Sequence, residues 1–529
     1  MLLECQTTSQ SHKPSIFDFA SSLEGAVGRR STNSQRRIYF NIDRNVLKSG
    51  KNMLNVQRYQ DFGLVRGFCR ERIKIMAQTE LQIEWIDARQ DDVATKIDAL
   101  RKKLSLKGNI VSEAGKKKTI EIFGAPLTPQ EVVDKICADV SEKGLEALLD
   151  YSKRVDNANL TSEELRVPLA ELEAAIDEVE PEYLEAVDRI RERIETFQRS
   201  ILQSSTRIEV PGGWLGQRYL PLRRVGVCVP GGAAAYPSSV LMTVVPAQVA
   251  GVKEIAVMAP PTPNGSYNRY LLATCARLGV KEVYRMGGAQ GVAAFAYGVE
   301  GIPRVDKIVG PGNMFVALAK KAVYGSVAID SIAGPSEVVV IVDDSTRADY
   351  TAYDVLAQAE HAPGSSILIG WDEEVLRRAL QQIDVTLSKI ERGDLARQAL
   401  ANFGAVIITE TEDEACALTN LIAPEHLHIA TRNAEELAQK IPCAGAIFMG
   451  NYTPVALGDY AAGPSHVLPT SGSARFASGL TCNDFLRGNS LLHFSQEGLD
   501  LLAGDVHQIA TVEGLTAHRR SVDVRRSNN

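Results

Sequence analysis

Val225-Gly-Val-Cys-Val-Pro-Gly-Gly232-Ala-Ala-Ala-Tyr236-Pro-Ser-Ser-Val240 runs from a β-branched apolar stretch through a glycine turn into a proline-opened helix. Strand, turn and helix start in that order bring backbone N–H groups and the helix dipole to one point, which suits a phosphate or a dinucleotide. The stretch is not G-x-G-x-x-G, and a tight structural turn would look the same locally. The theme recurs at Gly287-Gly-Ala-Gln290-Gly291 and at Val309-Gly-Pro-Gly312-Asn313, each after another short apolar run. Three such turns at strand ends indicate a ligand crevice. Gln290 and Asn313 are the side chains there that can hydrogen-bond a nicotinamide or a ribose.

Around this stretch, the short runs at residues 254–258, 282–286, 307–309 and 336–342 alternate with helical segments and Gly- or Pro-marked turns. Such alternation is the signature of βαβ units in a mostly parallel sheet. It resumes after a helix at 347–361 with strands at 366–370, 404–409, 427–430 and 445–449. The predicted fold class is α/β: two incomplete Rossmann-like domains, 209–346 and 347–484. Residues 76–208 form a mainly helical N-terminal lobe and 485–529 a helical C-terminal arm. Pro126-Leu-Thr128-Pro-Gln-Glu131 opens the lobe's helices with an N-cap, a proline at the first helical position and a capping-box Glu. Leu81-Gln-Ile-Glu-Trp-Ile86 shows strand-like alternation at the start of the conventional sequence.

At 529 residues with 45% hydrophobic and 23% charged composition, the chain is long enough for several cores. A net charge of −7 gives no reason to expect nucleic acid or an anionic membrane, and no apolar run is long enough to span a bilayer. Residues 1–75 stand apart, with 13 Lys and Arg against 6 Asp and Glu. They read as a basic, disordered extension, transit-like or an over-long start, so the expected location is the cytoplasm, or a plastid if the extension is a transit peptide. The eight cysteines contain no Cys-x-x-Cys pair, which suits a reducing compartment and argues against a thiolate zinc site.

Histidine is scarce and unevenly placed. Seven of the eight (His361, His426, His428, His466, His493, His507 and His518) lie in the last third. Gln358 and His361, three apart on the predicted helix 347–361, face the same way and suit one metal. Asp459, in Gly458-Asp-Tyr460, adds a carboxylate, and His518 a second imidazole. Together they would make a zinc site of nitrogen and oxygen ligands, with room for substrate atoms. Glu425-His426, after Pro424, places two bases of different strength side by side, useful where two proton removals are needed. His428, His493 and His507 are read as ordinary.

Taken in order, these motifs closely resemble the histidinol dehydrogenase family. The resemblance rests on the three glycine turns, Ile329-Asp-Ser-Ile-Ala-Gly-Pro-Ser336-Glu, Ala357-Gln-Ala-Glu-His361, Ala423-Pro-Glu-His426-Leu, Gly458-Asp-Tyr-Ala-Ala-Gly-Pro-Ser-His466 and Glu513-Gly-Leu-Thr-Ala-His518. It covers about residues 76–520 and implies oxidation of L-histidinol to L-histidine through L-histidinal, with two NAD and one Zn2+ per subunit. Carried over motif by motif, Gln358, His361, Asp459 and His518 would hold the zinc, and Glu425 and His426 would be the proton acceptors. Ser336, Gln358, His361, His426, Asp459, His466, Glu513 and His518 would touch substrate. Cys228, Gln290 and Asn313 would occupy the NAD-contact positions. The resemblance further implies a homodimer with exchanged segments, the C-terminal arm carrying Glu513 and His518 into the partner's site. Cys228 stands where many relatives carry Tyr, and Ser465 where Asn is usual. Two rival readings are a dehydrogenase of another small polar alcohol, such as a sulfonated diol, and a non-catalytic zinc-binding structural protein.

Overall fold

The computed structural model describes residues 81–104, 113–232, 234–361 and 363–526. The basic extension of residues 1–75 lies outside them. In chain order the strands are β1 (Glu84–Asp87), β2 (Thr206–Val210), β3 (Gly213–Pro221), β4 (Arg224–Cys228), β5 (Glu254–Ala259), β6 (Glu282–Arg285) and β7 (Lys307–Val309). They continue as β8 (Ala328–Ile329), β9 (Ser336–Val342), β10 (Gly364–Gly370), β11 (Ala405–Ile408), β12 (His426–Ile429), β13 (Ala446–Met449) and β14 (Leu486–Phe494).

The opening stretch of sequence becomes β4, its turn and the helix Pro237–Ala250. β4 is the middle strand of a five-stranded parallel sheet ordered β6-β5-β4-β7-β8. Its side chains split by the period of two between two apolar layers. Val225, Val227, Val257 and Val283 pack towards the helices Pro237–Ala250 and Arg269–Arg277. Cys228, Met258 and Tyr284 pack on the other face with Phe295, Ile308 and the lobe residues Val132 and Ile136. The lobe helix Pro129–Lys143 starts as its sequence dictates. The Thr128 hydroxyl accepts from the Glu131 amide, and the Glu131 carboxylate accepts from the Thr128 amide. The lobe therefore shares a core with the first sheet. At the amino ends of three strands, the buried guanidinium of Arg224 makes two hydrogen bonds to Glu282 and reaches Glu254.

The second sheet has six parallel strands ordered β1-β11-β10-β9-β12-β13. Ser-Glu-Val-Val-Val-Ile-Val in β9 buries both faces, Val338 and Val340 in one layer and Val339 and Ile341 in the other. Two assignments from sequence change here. The strand at Glu84–Asp87 pairs with β11, so the N-terminal segment supplies an edge to the second sheet. Ser336–Val342, placed in the first domain by sequence position, lies between β10 and β12 in the second. A run that is apolar on both faces carries no mark of the sheet it will join, because its partners are chosen by long-range pairing.

A third sheet, β14-β3-β2, is antiparallel. The stretch after Phe485 was expected to be helical throughout. It opens instead with β14, which pairs along its whole length with β3, from Leu486 opposite Pro221 to Phe494 opposite Gly213. Leu-Arg-Gly-Asn-Ser-Leu-Leu-His-Phe has no strict alternation, and its partner strand is remote in sequence. The helices Gln496–Val512 and Thr516–Asp523 follow, the first capped by the Ser495 hydroxyl accepting from the Gly498 amide.

Candidate active site

Both parallel sheets end on one cavity of about 840 Å³. The first sheet meets it with its carboxyl ends. The turn Pro230–Gly232 after β4, Gly287–Gln290 after β6 and Pro311–Asn313 after β7 all line the wall. Two of these turns need glycine. Gly288 has φ +59°, and a Cβ there would stand 2.7 Å from Gln290 Oε1. Gly310 has φ +105°, and a Cβ would stand 2.3 Å from the carbonyl oxygen of Cys228. The loop at Gly310 is held at both backbone atoms. Its N–H donates to Asp330 Oδ2 at 2.7 Å, its carbonyl accepts from Lys320 Nζ at 3.1 Å, and Lys320 and Asp330 pair in the interior.

The three side chains expected on the NAD side are present on this wall. Burial pushes the Cys228 thiol up to about 12, so it lines the cavity as a small neutral surface. Asn313 Oδ1 accepts from the amides of Phe315 and Val316 as the N-cap of the helix Met314–Val323. Its oxygen is thus committed to the fold, leaving the Nδ2 group for a ligand. Gln290 is fully buried, donates from Nε2 to Asp156 Oδ2 at 2.8 Å, and has Oε1 unpartnered.

The second sheet meets the cavity with its amino ends. Ser336 is the first residue of β9 and His426 the first of β12. Glu425 and His426 face the same space because Ala423 adopts φ +47° and swings the chain into Pro424 ahead of the strand. Such a conformation in a residue with a Cβ is backbone strain spent at a site. Glu425 Oε2 accepts from the Glu337 amide at 2.8 Å. His426 Nδ1 donates to the Glu337 carbonyl at 3.0 Å, and its Nε2 stands 3.3 Å from Asp459 Oδ1. One residue of β9 thereby orients both acid–base groups.

Their environments push the two apart in role. Burial raises the Glu425 carboxyl to about 7, against the pull of His426. For His426 burial acts downward, but the charges of Glu425 and Asp459 outweigh it and lift the imidazole to about 9. Glu425 is thus a base that becomes available near neutrality, and His426 a buried proton holder.

Gln358 lies in the last turn of the helix Ala348–Ala359, with His361 just beyond its end; both line the cavity beside Asp459. Asp459, expected in a turn, sits in the short helix Val455–Tyr460. Burial lowers His361, keeping its imidazole neutral at physiological pH. Burial opposes ionisation of Asp459, yet His426 beside it holds the carboxyl below its ordinary value. Gln358 Nε2 is buried without a partner; that end of the carboxamide only donates, and a cation would be met by Oε1. A neutral imidazole, an ionised carboxylate and a free carboxamide fit a borderline cation such as zinc. His466 completes this side. Its Nδ1 donates to the Asp459 carbonyl at 2.9 Å, which steadies the Asp459 backbone, and burial lowers its pKa.

Glu513 and His518 do not reach this cavity. Both are exposed on the C-terminal helices. Among the described residues no three of His, Cys, Asp and Glu come together in a way that would hold a metal ion, so this chain brings Gln358, His361 and Asp459 but not the fourth expected ligand. The remaining late histidines are structural. His428 bridges Asp354 and the Gly450 carbonyl, His493 stacks on Trp214, and His507 pairs with Asp523. Sequence reading missed Asp156 and the orienting role of Glu337. The first is a lone acid at a helix end with no pattern around it, and the second acts through its backbone, which carries no signal in residue type.

Glycine turns at helix starts, opposed across one cavity by desolvated acid–base groups, define a nucleotide-dependent oxidoreductase of the α/β class. The histidinol dehydrogenase family model matches residues 127–526. The chain belongs to the histidinol dehydrogenase family of NAD-dependent oxidoreductases in histidine biosynthesis. It is 56% identical over 456 residues to a histidinol dehydrogenase of Rhodopirellula baltica, covering 85% of this chain and 99% of that one. It is 46% identical over 400 residues to that of Aquifex aeolicus, covering 75% and 93%. The solved structure of a histidinol dehydrogenase from Elizabethkingia anophelis is similar with a TM-score of 0.75 at 33% identity, covering 84% of this chain and 98% of that one. No helix among the described residues is long and apolar enough to cross a membrane.

Proposed function

We propose that the chain carries out the whole oxidation of L-histidinol to L-histidine, through L-histidinal retained at the site, with two NAD used in succession and one zinc per subunit. The observation that carries this is the pairing of Glu425 and His426, buried side by side and raised to different values, about 7 and about 9. A two-stage oxidation needs a group that accepts the alcohol proton and a base that takes a proton from water at the aldehyde stage. His426, fixed through Nδ1 and holding its proton up to about pH 9, serves the first stage in the fraction that has lost the Nε2 proton. Glu425, ionised above about pH 7, serves the second by drawing a proton from the water that adds to the aldehyde carbon. NAD, when bound, takes one hydride at each stage. Zinc, when bound, supplies a fixed positive charge and a template for the substrate's imidazole and amino nitrogens.

On this reading Gln358, His361 and Asp459 hold the zinc together with His518 of the partner subunit, and Ser336, His426 and His466 line the substrate's position. Cys228, Gln290 and Asn313 meet the dinucleotide. The homodimer is supported by the arm itself. The helix Gln496–Val512 exposes Leu501, Leu502, Val506, Ile509 and Val512, an apolar face left bare in the single chain. Glu513 and His518 are carried by that same arm, away from the chain's own cavity. The described cysteines are unpaired, which suits the reducing cytoplasm.

The test is an assay of NADH formed from L-histidinol by zinc-loaded protein. About two NADH per histidinol, with L-histidine as product, is the expected result. No NADH from histidinol overturns the reading, and one NADH with free aldehyde released overturns its second stage.

A further inference from the structure

The wall that carries Gln290 is completed from the helical lobe. Asp156 ends the helix Leu145–Asp156, lines the same cavity, and accepts from Gln290 Nε2 at 2.8 Å. A carboxylate can only accept, so it fixes which end of the neighbouring carboxamide faces it. The Gln290 oxygen is therefore turned away from Asp156, buried and unpartnered. Gly288 keeps that orientation open, because any Cβ at this position would collide with Oε1. Burial pushes the Asp156 carboxyl up to about 6, against Lys118 on the neighbouring helix and the Gln290 N–H, which leaves it ionised at neutral pH.

We propose that Asp156 is a positioning residue for the dinucleotide: it locks the Gln290 carboxamide so that an acceptor, never a donor, faces the bound NAD. The group met by Oε1 is then a donor, a nicotinamide N–H or a ribose hydroxyl. The inference rests on the reading of Gln290 as an NAD contact. It goes further in assigning a lobe residue, remote in sequence from the glycine turns, to cofactor recognition.

A donor–acceptor exchange tests this. In Asp156→Asn with Gln290→Glu, the new amide donates to the new carboxylate, and the second carboxylate oxygen again presents an acceptor to the cavity. Binding of NADH to the full chain without histidinol is followed by nicotinamide fluorescence. Asp156→Ala should weaken binding about tenfold, the scale of one lost charge-assisted hydrogen bond. Gln290→Glu alone should weaken it at least as much, since two carboxylates then face each other. The double variant should recover to within about threefold of the starting protein, as one such bond is restored. A double variant no better than Gln290→Glu overturns the proposal, as does unchanged binding in Asp156→Ala when Gln290→Ala is impaired. Unchanged binding in Gln290→Ala overturns the contact on which the proposal rests.

Discussion

The two parallel sheets present opposite ends to the cavity, and the difference explains how the site divides its work. From the first sheet come strand carboxyl ends and the starts of the helices at Gly288 and Met314, where the positive ends of helix dipoles gather, the first without a side-chain cap. Apart from Lys118 and Asp156, both contributed by the lobe, this wall offers neutral side chains and backbone. From the second sheet come strand amino ends and the finish of the helix Ala348–Ala359, the negative end of its dipole. Here the groups are titratable: His361, Glu425, His426, Asp459 and His466, of which Glu425 and His426 are buried. A dinucleotide with its phosphates suits the first wall, a cation and proton traffic the second. A single sheet would have to offer both polarities at one edge; two sheets meeting end to end separate them.

This contrast can be broken most severely on the second wall. Glu425→Gln should slow oxidation of L-histidinal by roughly a thousandfold while the alcohol stage and NADH binding change little, the range for loss of a general base. Equal loss in both stages would remove the assigned division between Glu425 and His426. In the unaltered protein the aldehyde stage should rise with pH and level off above about 7. The reason is that burial raises the Glu425 carboxyl and delays appearance of its base form. That limb should vanish in Glu425→Gln.

A second test asks whether one chain's second wall is complete. His361→Ala and His518→Ala should each lose nearly all turnover. Mixing and re-associating the two should restore about a quarter of full activity, because half of the mixed dimers carry one intact site. No recovery would mean that both residues serve the same chain's cavity.

The smaller effects fall on the first wall and its frame. Gly288→Ala should weaken NADH binding about tenfold with zinc content unchanged, through displacement of the Gln290 amide. A change in zinc content would show that the walls are not separable. Arg224→Met should lower stability by about 3 kcal/mol in chemical unfolding, because Glu282 keeps its half-buried charge without its partner. At saturating NAD and histidinol its kcat should be nearly unchanged.

Much of the catalytic wall is legible in the sequence. Gln358 and His361 share a helix end, and Pro424-Glu425-His426 is a local feature, so residue type and spacing were enough to suggest them. What spacing could not show was that Ala423 adopts a strained turn to bring Glu425 and His426 to one cavity. Asp156 was invisible for a related reason. Its meaning depends on a hydrogen bond to a residue far along the chain, and nothing in Lys-Arg-Val-Asp-Asn announces it. The C-terminal arm divides the same way: its helices follow from caps and periodicity, whereas β14 exists only because β3 offers it an edge.

The sequence by itself determined the strand–turn–helix units, the glycines at their corners and the chemical identity of the acid–base groups. These are local matters, set by backbone sterics and side-chain chemistry within a few residues. Only the tertiary structure decided that β1 and β9 join the second sheet and that this sheet offers its amino ends to the cavity. It alone placed a lobe aspartate against the dinucleotide wall. Those outcomes depend on hydrogen-bond pairing and burial between segments remote in the chain, where several arrangements satisfy the same local pattern and the packed whole selects one.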